Sequence, residues 1–282
     1  MQKKVLLIIT CSVVAVIGIF IACKILTASV KPSANSAAGV PARMEKASKE
    51  EAELFELASR YEQSGDLLNV RDTYQKIIEE FPGSDNIQKA QEGLEGTNVR
   101  ILFSPIATPD SLSYEIQKGD TLAKIAKKFS NTQDMILKAN NLKNPKVVPL
   151  GRKIKVHNEK FSIVVDKSQN ILTLKSGDRI VKTYRVSTGL NNSTPVGNFK
   201  IINKIVDPPW YTAGSVIPAD SPKNILGSRW LGISAQSYGI HGTTEPQSIG
   251  KQVTSGCVRM INSEVEELYQ IVPEGTEVVI VD

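Results

Sequence analysis

Several residue types that often carry function are scarce in this 282-residue sequence. It has three cysteines, Cys11, Cys23 and Cys257, and two histidines, His157 and His241. Cysteines this few and this far apart exclude a disulfide-dense scaffold and a zinc ribbon or finger. Two histidines leave little for metal ligation, and no metal or cofactor is expected. With 14 prolines, 41% hydrophobic and 22% charged residues, the chain is neither collagen-like nor wholly disordered, so packed cores are expected. Its length suits two or three modules rather than one. A concentrated positive charge is also missing. Lys plus Arg against Asp plus Glu is 4 to 0 over residues 1–40, 8 to 13 over 41–100, 10 to 4 over 101–157 and 12 to 12 over 158–282. The largest block is neutral, which argues against nucleic acid as a partner.

One long apolar run is present. Val5 to Cys23 contains no charge and follows Lys3 and Lys4, long enough as a helix to cross a hydrocarbon layer of roughly 30 Å. The preceding lysines place the short N-terminus in the cytoplasm and the rest outside, so the expectation is a single-pass membrane protein with its bulk on the outer side. A cleaved signal peptide and a lipid-modified Cys23 are the alternatives. Residues 1–24 thus read as stub and anchor, and 25–42 as a flexible tether of small and polar residues.

Between 43 and 97 the sequence turns rich in Glu, Lys, Ala, Leu and Gln. Leu54, Leu57, Ala58 and Tyr61, then Val70, Tyr74, Ile77, Ile78 and Phe81, fall at helical spacing. Ser64-Gly65-Asp66 and Phe81-Pro82-Gly83 punctuate two helices before a short third. The order Ala58, Tyr61, Gly65, Val70, Tyr74, Pro82 resembles one tetratricopeptide repeat. A single repeat cannot bury its own apolar face, so this segment is either a stiff spacer or a docking element for a protein partner. A linker is expected over 98–112.

Residues 113–157 follow the order strand, helix, helix, strand, a small α+β module. Tyr114-Glu115-Ile116 alternates; Thr121 can cap a helix carrying Leu122, Ile125, Ala126 and Phe129; Thr132 or Asn131 can cap a second with Met135, Ile136 and Ala139; Lys153 to Val156 forms the closing strand. Gly119-Asp120-Thr121-Leu122, Ile125-Ala126, Asn140-Asn141-Leu142 and Leu150-Gly151-Arg152-Lys153-Ile154-Lys155-Val156 are similar to a LysM domain nearly end to end. The resemblance implies binding of N-acetylglucosamine-containing glycan strands of peptidoglycan, in a groove between the loop of Gly119, Asp120, Thr121 and Leu122 and the loop containing Asn144. Helix capping by Asp120 and Thr121 is compatible with that role. His157, at the module's end, reads as an exposed bystander.

From 160 to 282 helical periodicity nearly disappears. Short β-type runs at Phe161–Val165, Ile171–Leu174, Arg179–Val186, Asn198–Ile205, Trp230–Ile233 and Glu277–Val281, divided by turn residues, suggest a mainly-β sandwich-like domain. One helix is expected at Ser263–Tyr269, capped by Asn262-Ser263. This domain holds one histidine and one cysteine, His241 and Cys257. A thiol with a pKa of about 8.5 is mostly protonated at neutral pH, so a nucleophilic cysteine needs a proton acceptor, and imidazole is the usual one. Gly256 lets the chain bend so that the amides of Gly256 and Cys257 converge on an oxyanion. Arg259 adds positive charge, to lower the thiol pKa or to hold a substrate carboxylate. Alone, this spacing also fits a cysteine that is only a small core hydrophobe.

The wider pattern favours the catalytic reading. Ile240-His241-Gly242-Thr243, Ser255-Gly256-Cys257-Val258-Arg259-Met260, Ser187-Thr188-Gly189, Thr194-Pro195-Val196-Gly197-Asn198-Phe199 and Val272-Pro273-Glu274-Gly275-Thr276 resemble the YkuD-type L,D-transpeptidase catalytic domain and fall along the chain in the same order as in that family. The resemblance implies a Cys257 nucleophile, a His241 base oriented by the Gly242 carbonyl, and attack on the bond before the terminal D-alanine of a peptidoglycan stem tetrapeptide. The acyl group then passes to an amine of a neighbouring stem. One departure stands out: Ser255 occupies the position where many family members carry a second histidine. The whole chain is thus expected to be multidomain and, on these resemblances, a bacterial inner-membrane protein with its bulk in the periplasm or on the outer side. Alternative activities are an L,D-carboxypeptidase, in which water resolves the same acyl-enzyme, and a non-catalytic peptidoglycan-binding scaffold.

Overall fold

The computed structural model describes residues 39–282 apart from Ala213. The expected anchor at 5–23 and most of the tether lie outside the described residues. Contacts divide the chain at Glu45/Lys46, and the second unit, Lys46–Asp282, carries everything below except the opening residues of the first helix. Among the described residues, no helix is long and apolar enough to cross a membrane.

Three helices come first: α1 (Gly39–Ser64), α2 (Leu67–Glu80) and α3 (Ile87–Leu102). Gly65, at φ +74°, makes the break after α1, and the Asp66 carboxylate caps α2 by accepting from Asn69 N–H at 3.3 Å. Ala58, Val70, Tyr74, Ile77 and Ala90 form the core of this helical unit. The Tyr74 ring lies so close to Gly93 that a Cβ there would fall 2.5 Å from it, so α2 and α3 approach through a glycine. The third helix is longer than expected. At 16 residues it runs through position 98, where a linker was expected, because Val99 and Leu102 bury into the core of the β-rich domain. The hairpin's apolar side is therefore covered partly by its own third helix.

The small module has the expected order: β1 (Ser111–Glu115), α4 (Leu122–Lys128), α5 (Gln133–Ala139) and β2 (Lys153–His157), with β1 and β2 antiparallel. Thr121 and Thr132 are the helix caps, accepting from Lys124 N–H at 3.2 Å and Met135 N–H at 3.0 Å. Asn131 instead ties to the His157 backbone, donating to its carbonyl and accepting from its N–H, both at 2.9 Å.

The β-rich domain contains β3 (Phe161–Asp166), β4 (Ile171–Ser176), β5 (Arg179–Arg185), β6 (Thr188–Gly189), β7 (Gly197–Val206), β8 (Trp210–Thr212), β9 (Ser215–Ile217), β10 (Arg229–Ile233), β11 (Gly239–His241), β12 (Gln252–Thr254), β13 (Val258–Arg259), α6 (Asn262–Ile271) and β14 (Glu277–Val281). The expected sandwich resolves into one eight-stranded mixed sheet, in the order β13-β11-β10-β7-β14-β3-β4-β5. Its two halves share the ten-residue β7, and both feed one core with Val265, Leu268 and Ile271 of α6. The pairs β14 with β3 and β11 with β13 are parallel.

His157 corrects its expected exposure. It is 2% exposed, with Nε2 2.9 Å from Ser176 Oγ and its ring stacked on Phe161. It sits between the small module and the β-rich domain rather than in a linker. The same junction holds Thr132 Oγ1 donating to Gln270 O, Lys138 to Gln270 Oε1, and an Arg179–Asp110 ion pair.

Candidate active site

The parallel pairing of β11 with β13 matches Ile240 to Val258 and His241 to Arg259. Continuing that register by one residue places Cys257 beside Gly239. Strand alternation then puts Cys257, Arg259 and His241 on one face of the sheet, while Ile240 and Val258 point into the core. The fifteen residues between the two candidates thus close a loop that returns them to one face of adjacent strands.

The turn before Cys257 explains its glycine. Gly256 has φ +127°, a conformation that other residues rarely adopt, and a Cβ there would lie 2.5 Å from Tyr238 Cε1. Thr254 Oγ1 locks the turn, donating to the Cys257 carbonyl at 2.7 Å and accepting from Gly256 N–H at 3.1 Å. That bond takes up one of the two amides expected to face an oxyanion and leaves the Cys257 amide of the pair. The segment after β5 packs backbone against backbone here: a Cβ on Gly189 would lie 2.9 Å from Gly256 Cα. Ser255 is exposed.

The thiol of Cys257 donates to the Ser237 carbonyl at 3.8 Å rather than to the imidazole. Ser237 itself is held at φ +69°. Burial pushes the Cys257 thiol pKa up, opposed by the Gly239 backbone and the Arg259 charge. His241 is 3% exposed; burial lowers its pKa to about 4, with Arg259 acting in the same direction and the carbonyls of Gly242 and Leu226 opposing. Nδ1 lies 2.7 Å from the Gly242 carbonyl oxygen. A carbonyl can only accept, so Nδ1 carries the proton and Nε2 is left as the basic nitrogen.

Arg259 is buried. One of its terminal nitrogens donates to both Glu245 Oε2 at 2.9 Å and Ser248 Oγ at 3.0 Å, which ties the guanidinium to the loop after His241. Sequence reasoning missed Trp230, whose ring stacks on His241 at 6.0 Å and 18°, along with Thr254, Ser237 and Tyr238. Trp230 faces His241 across the β10–β11 pairing, a relation that only the sheet reveals.

In the small module, Gly119 has φ +87° and Thr121 is exposed. Asp120 does not cap the helix; it accepts from Tyr114 OH and Gln117 N–H, both at 2.8 Å. Leu122 departs from its expected role in a glycan groove: at 1% exposed it belongs to the module's core, because it starts the buried face of α4. Asn144 is exposed and shapes its own loop by accepting from Lys146 N–H at 2.9 Å.

Comparison with known proteins agrees with this division. Residues 160–280 match the L,D-transpeptidase catalytic domain of the YkuD family and residues 114–157 the LysM domain. YkuD of Bacillus licheniformis, a protein assigned to the L,D-transpeptidases, is 38% identical over 174 residues, covering 59% of this chain and 97% of the relative. Its Bacillus subtilis counterpart is 36% identical over 186 residues, covering 60% and 98%. A solved L,D-transpeptidase from Mycobacterium smegmatis aligns at 18% identity with a TM-score of 0.37, over 47% of this chain and 64% of that one. This chain thus spans less than two thirds of that structure. With a relative 38% identical and matched over nearly its whole length, the chain belongs to the YkuD family of L,D-transpeptidases.

Proposed function

We propose that the protein is a peptidoglycan L,D-transpeptidase working through a cysteine acyl-enzyme. The observation that carries this reading is the placement of Cys257 and His241 on one sheet face, with His241 Nδ1 tied to the Gly242 carbonyl and Nε2 left basic. Both groups rest neutral at pH 7, since the thiol pKa is raised and the imidazole pKa lies near 4. In the reaction His241 Nε2 takes the thiol proton as the sulfur attacks the carbonyl before the terminal D-alanine. A C–S bond forms, the oxyanion is held by the Cys257 amide, and the C–N bond breaks as the imidazolium returns the proton to the leaving amine. An acceptor amine then attacks the thioester and loses a proton to His241, and the thiolate departs and is reprotonated.

Around this chemistry the LysM module grips glycan through the Gly119–Thr121 and Asn144 loops and keeps stems near Cys257, which raises their effective concentration. The apolar run at 5–23 anchors the chain in the inner membrane with the catalytic domain in the periplasm, and the helical unit spaces the two or engages a protein.

The test incubates the full chain with stem tetrapeptide, with and without an acceptor amine, and analyses the products by mass spectrometry. Cross-linked product and free D-alanine are expected from the native chain and none from Cys257→Ala. His241→Ala is expected to lose on the order of 10²–10⁴-fold in kcat/KM. Free D-alanine with tripeptide alone, whatever acceptor is present, would identify a carboxypeptidase instead; a native chain inert to the donor and a thiol alkylator leaves only the binding scaffold.

A further inference from the structure

We propose that Asn262 is a positioning residue for His241, acting through a single peptide group. The inference rests on the reading of His241 as the base. That group joins Gly242 to Thr243. Its carbonyl accepts from His241 Nδ1 at 2.7 Å, and its N–H donates to Asn262 Oδ1 at 3.0 Å. Rotating this peptide plane breaks both bonds together, so the Asn262 oxygen fixes the orientation of the acceptor that selects the tautomer of the imidazole.

Three features show a site shaped for that oxygen. Asn262 Oδ1 also accepts from Ser228 N–H at 3.2 Å, joining the loop after His241 to the turn before β10. A Cβ on either Gly227 or Gly242 would fall 2.2 Å from Oδ1, so two glycines clear the space in which it sits, one of them at φ +65°. Asn262 also opens α6, which Val265, Leu268 and Ile271 fix in the core. Its side chain is not used as a helix cap: Ile261 is the N-cap residue, without a side-chain bond. On the near side, Gly242 N–H is held by the Arg229 carbonyl at 3.1 Å. Beyond Gly242 the strand has ended, and Asn262 supplies the next fixed point. The arrangement parallels a catalytic triad in which a third group orients the imidazole. Here that group is a neutral peptide, itself oriented by an amide side chain.

Asn262→Leu removes the acceptor at similar size, and Asn262→Asp restores an oxygen in its place. With histidine ring nitrogens labelled by ¹⁵N, the chain's two histidines give two separable NMR patterns, and His157 serves as an internal control. The native His241 is expected as the Nδ1–H tautomer. Asn262→Leu is expected to mix its tautomers with His157 unchanged, and to lower kcat about tenfold to a hundredfold with KM within about twofold. Asn262→Asp is expected to retain the tautomer and recover most of kcat. A single Nδ1–H tautomer in folded Asn262→Leu overturns the proposal, as does loss of the tautomer in folded Asn262→Asp. Should the native chain turn over no stem peptide while Asn262→Leu still mixes the tautomers, the positioning stands and the transpeptidase reading falls.

Discussion

Cys257 and His241 rest in the form that carries no charge, and their surroundings explain why. A thiol that donates to the Ser237 carbonyl would face a lone pair if ionised, and a 3% exposed imidazole has little water to solvate a cation. Alkylation of Cys257 by iodoacetamide is therefore expected to be slow at pH 7 and to rise as pH passes above 9, unlike a preformed thiolate–imidazolium pair. A rate already at its plateau near pH 6 would disprove the neutral resting state. Because the imidazole pKa is near 4, its basic form persists above that pH, so initial kcat/KM is expected to be level from pH 5 to 8. Gly256 is the second residue-scale case. With φ +127° and Tyr238 in the way, Gly256→Ala is expected to cost roughly 1–3 kcal/mol in backbone strain alone, measurable as a lower urea midpoint; an unchanged midpoint would show that the turn relaxes freely. The bend at Gly256 was legible in sequence because it belongs to a short local pattern, whereas the Gly242 carbonyl beside His241 was expected only from the resemblance to the family. Asn262 was misread as a helix cap because its local context suits one; what outcompeted the cap is an oxygen-shaped gap built by residues 227 and 242, which no local pattern announces.

At the scale of elements, legibility followed length. Strands of five to ten residues such as β3, β4 and β7 show periodicity and were located to within a residue or two. The two- and three-residue strands β6, β11, β12 and β13, which build the site, are too short for any period to appear. Helix α3 shows the same limit in another form. A short third helix was expected after Phe81-Pro82-Gly83, but its end was not legible, because positions 98–102 are held by tertiary burial: Val99 and Leu102 join a core made mainly by strands and α6. Lys155 secures the same helix end, its ammonium donating to the carbonyls of Ile101 at 2.8 Å and Ser104 at 3.0 Å. The helical unit is thus bound into the catalytic domain. Leu102→Ala is expected to cost about 2–5 kcal/mol and to lower the melting temperature of the catalytic domain, followed by near-ultraviolet circular dichroism. A catalytic-domain transition at the native temperature in that variant would show that the helices unfold independently.

Across the whole unit, both histidines are buried and both lie well below the ordinary imidazole pKa of 6.5, at about 4, burial being the leading cause in each. Neither position could be known from sequence, and His157 looked exposed until the small module was seen to close over it. Above pH 6.5 both are neutral whether the chain is folded or not, so they add no pH dependence there. Between about 6.5 and 4 the unfolded chain binds two protons that the folded chain refuses, and stability must fall as pH falls. The slope reaches at most roughly 2.7 kcal/mol per pH unit for two such groups. Below 4 the imidazole contribution levels off, and carboxylates with lowered pKa such as Asp110 and Asp166 take over the loss. Urea midpoints at pH 7, 6, 5 and 4.5 are expected to drop most steeply over the last two intervals, and His157→Gln should remove about half of that slope, since it deletes one of the two protons. Stability that stays constant from pH 7 to 4.5 would mean that the interior admits the charged imidazoles and that His241 does not rest neutral.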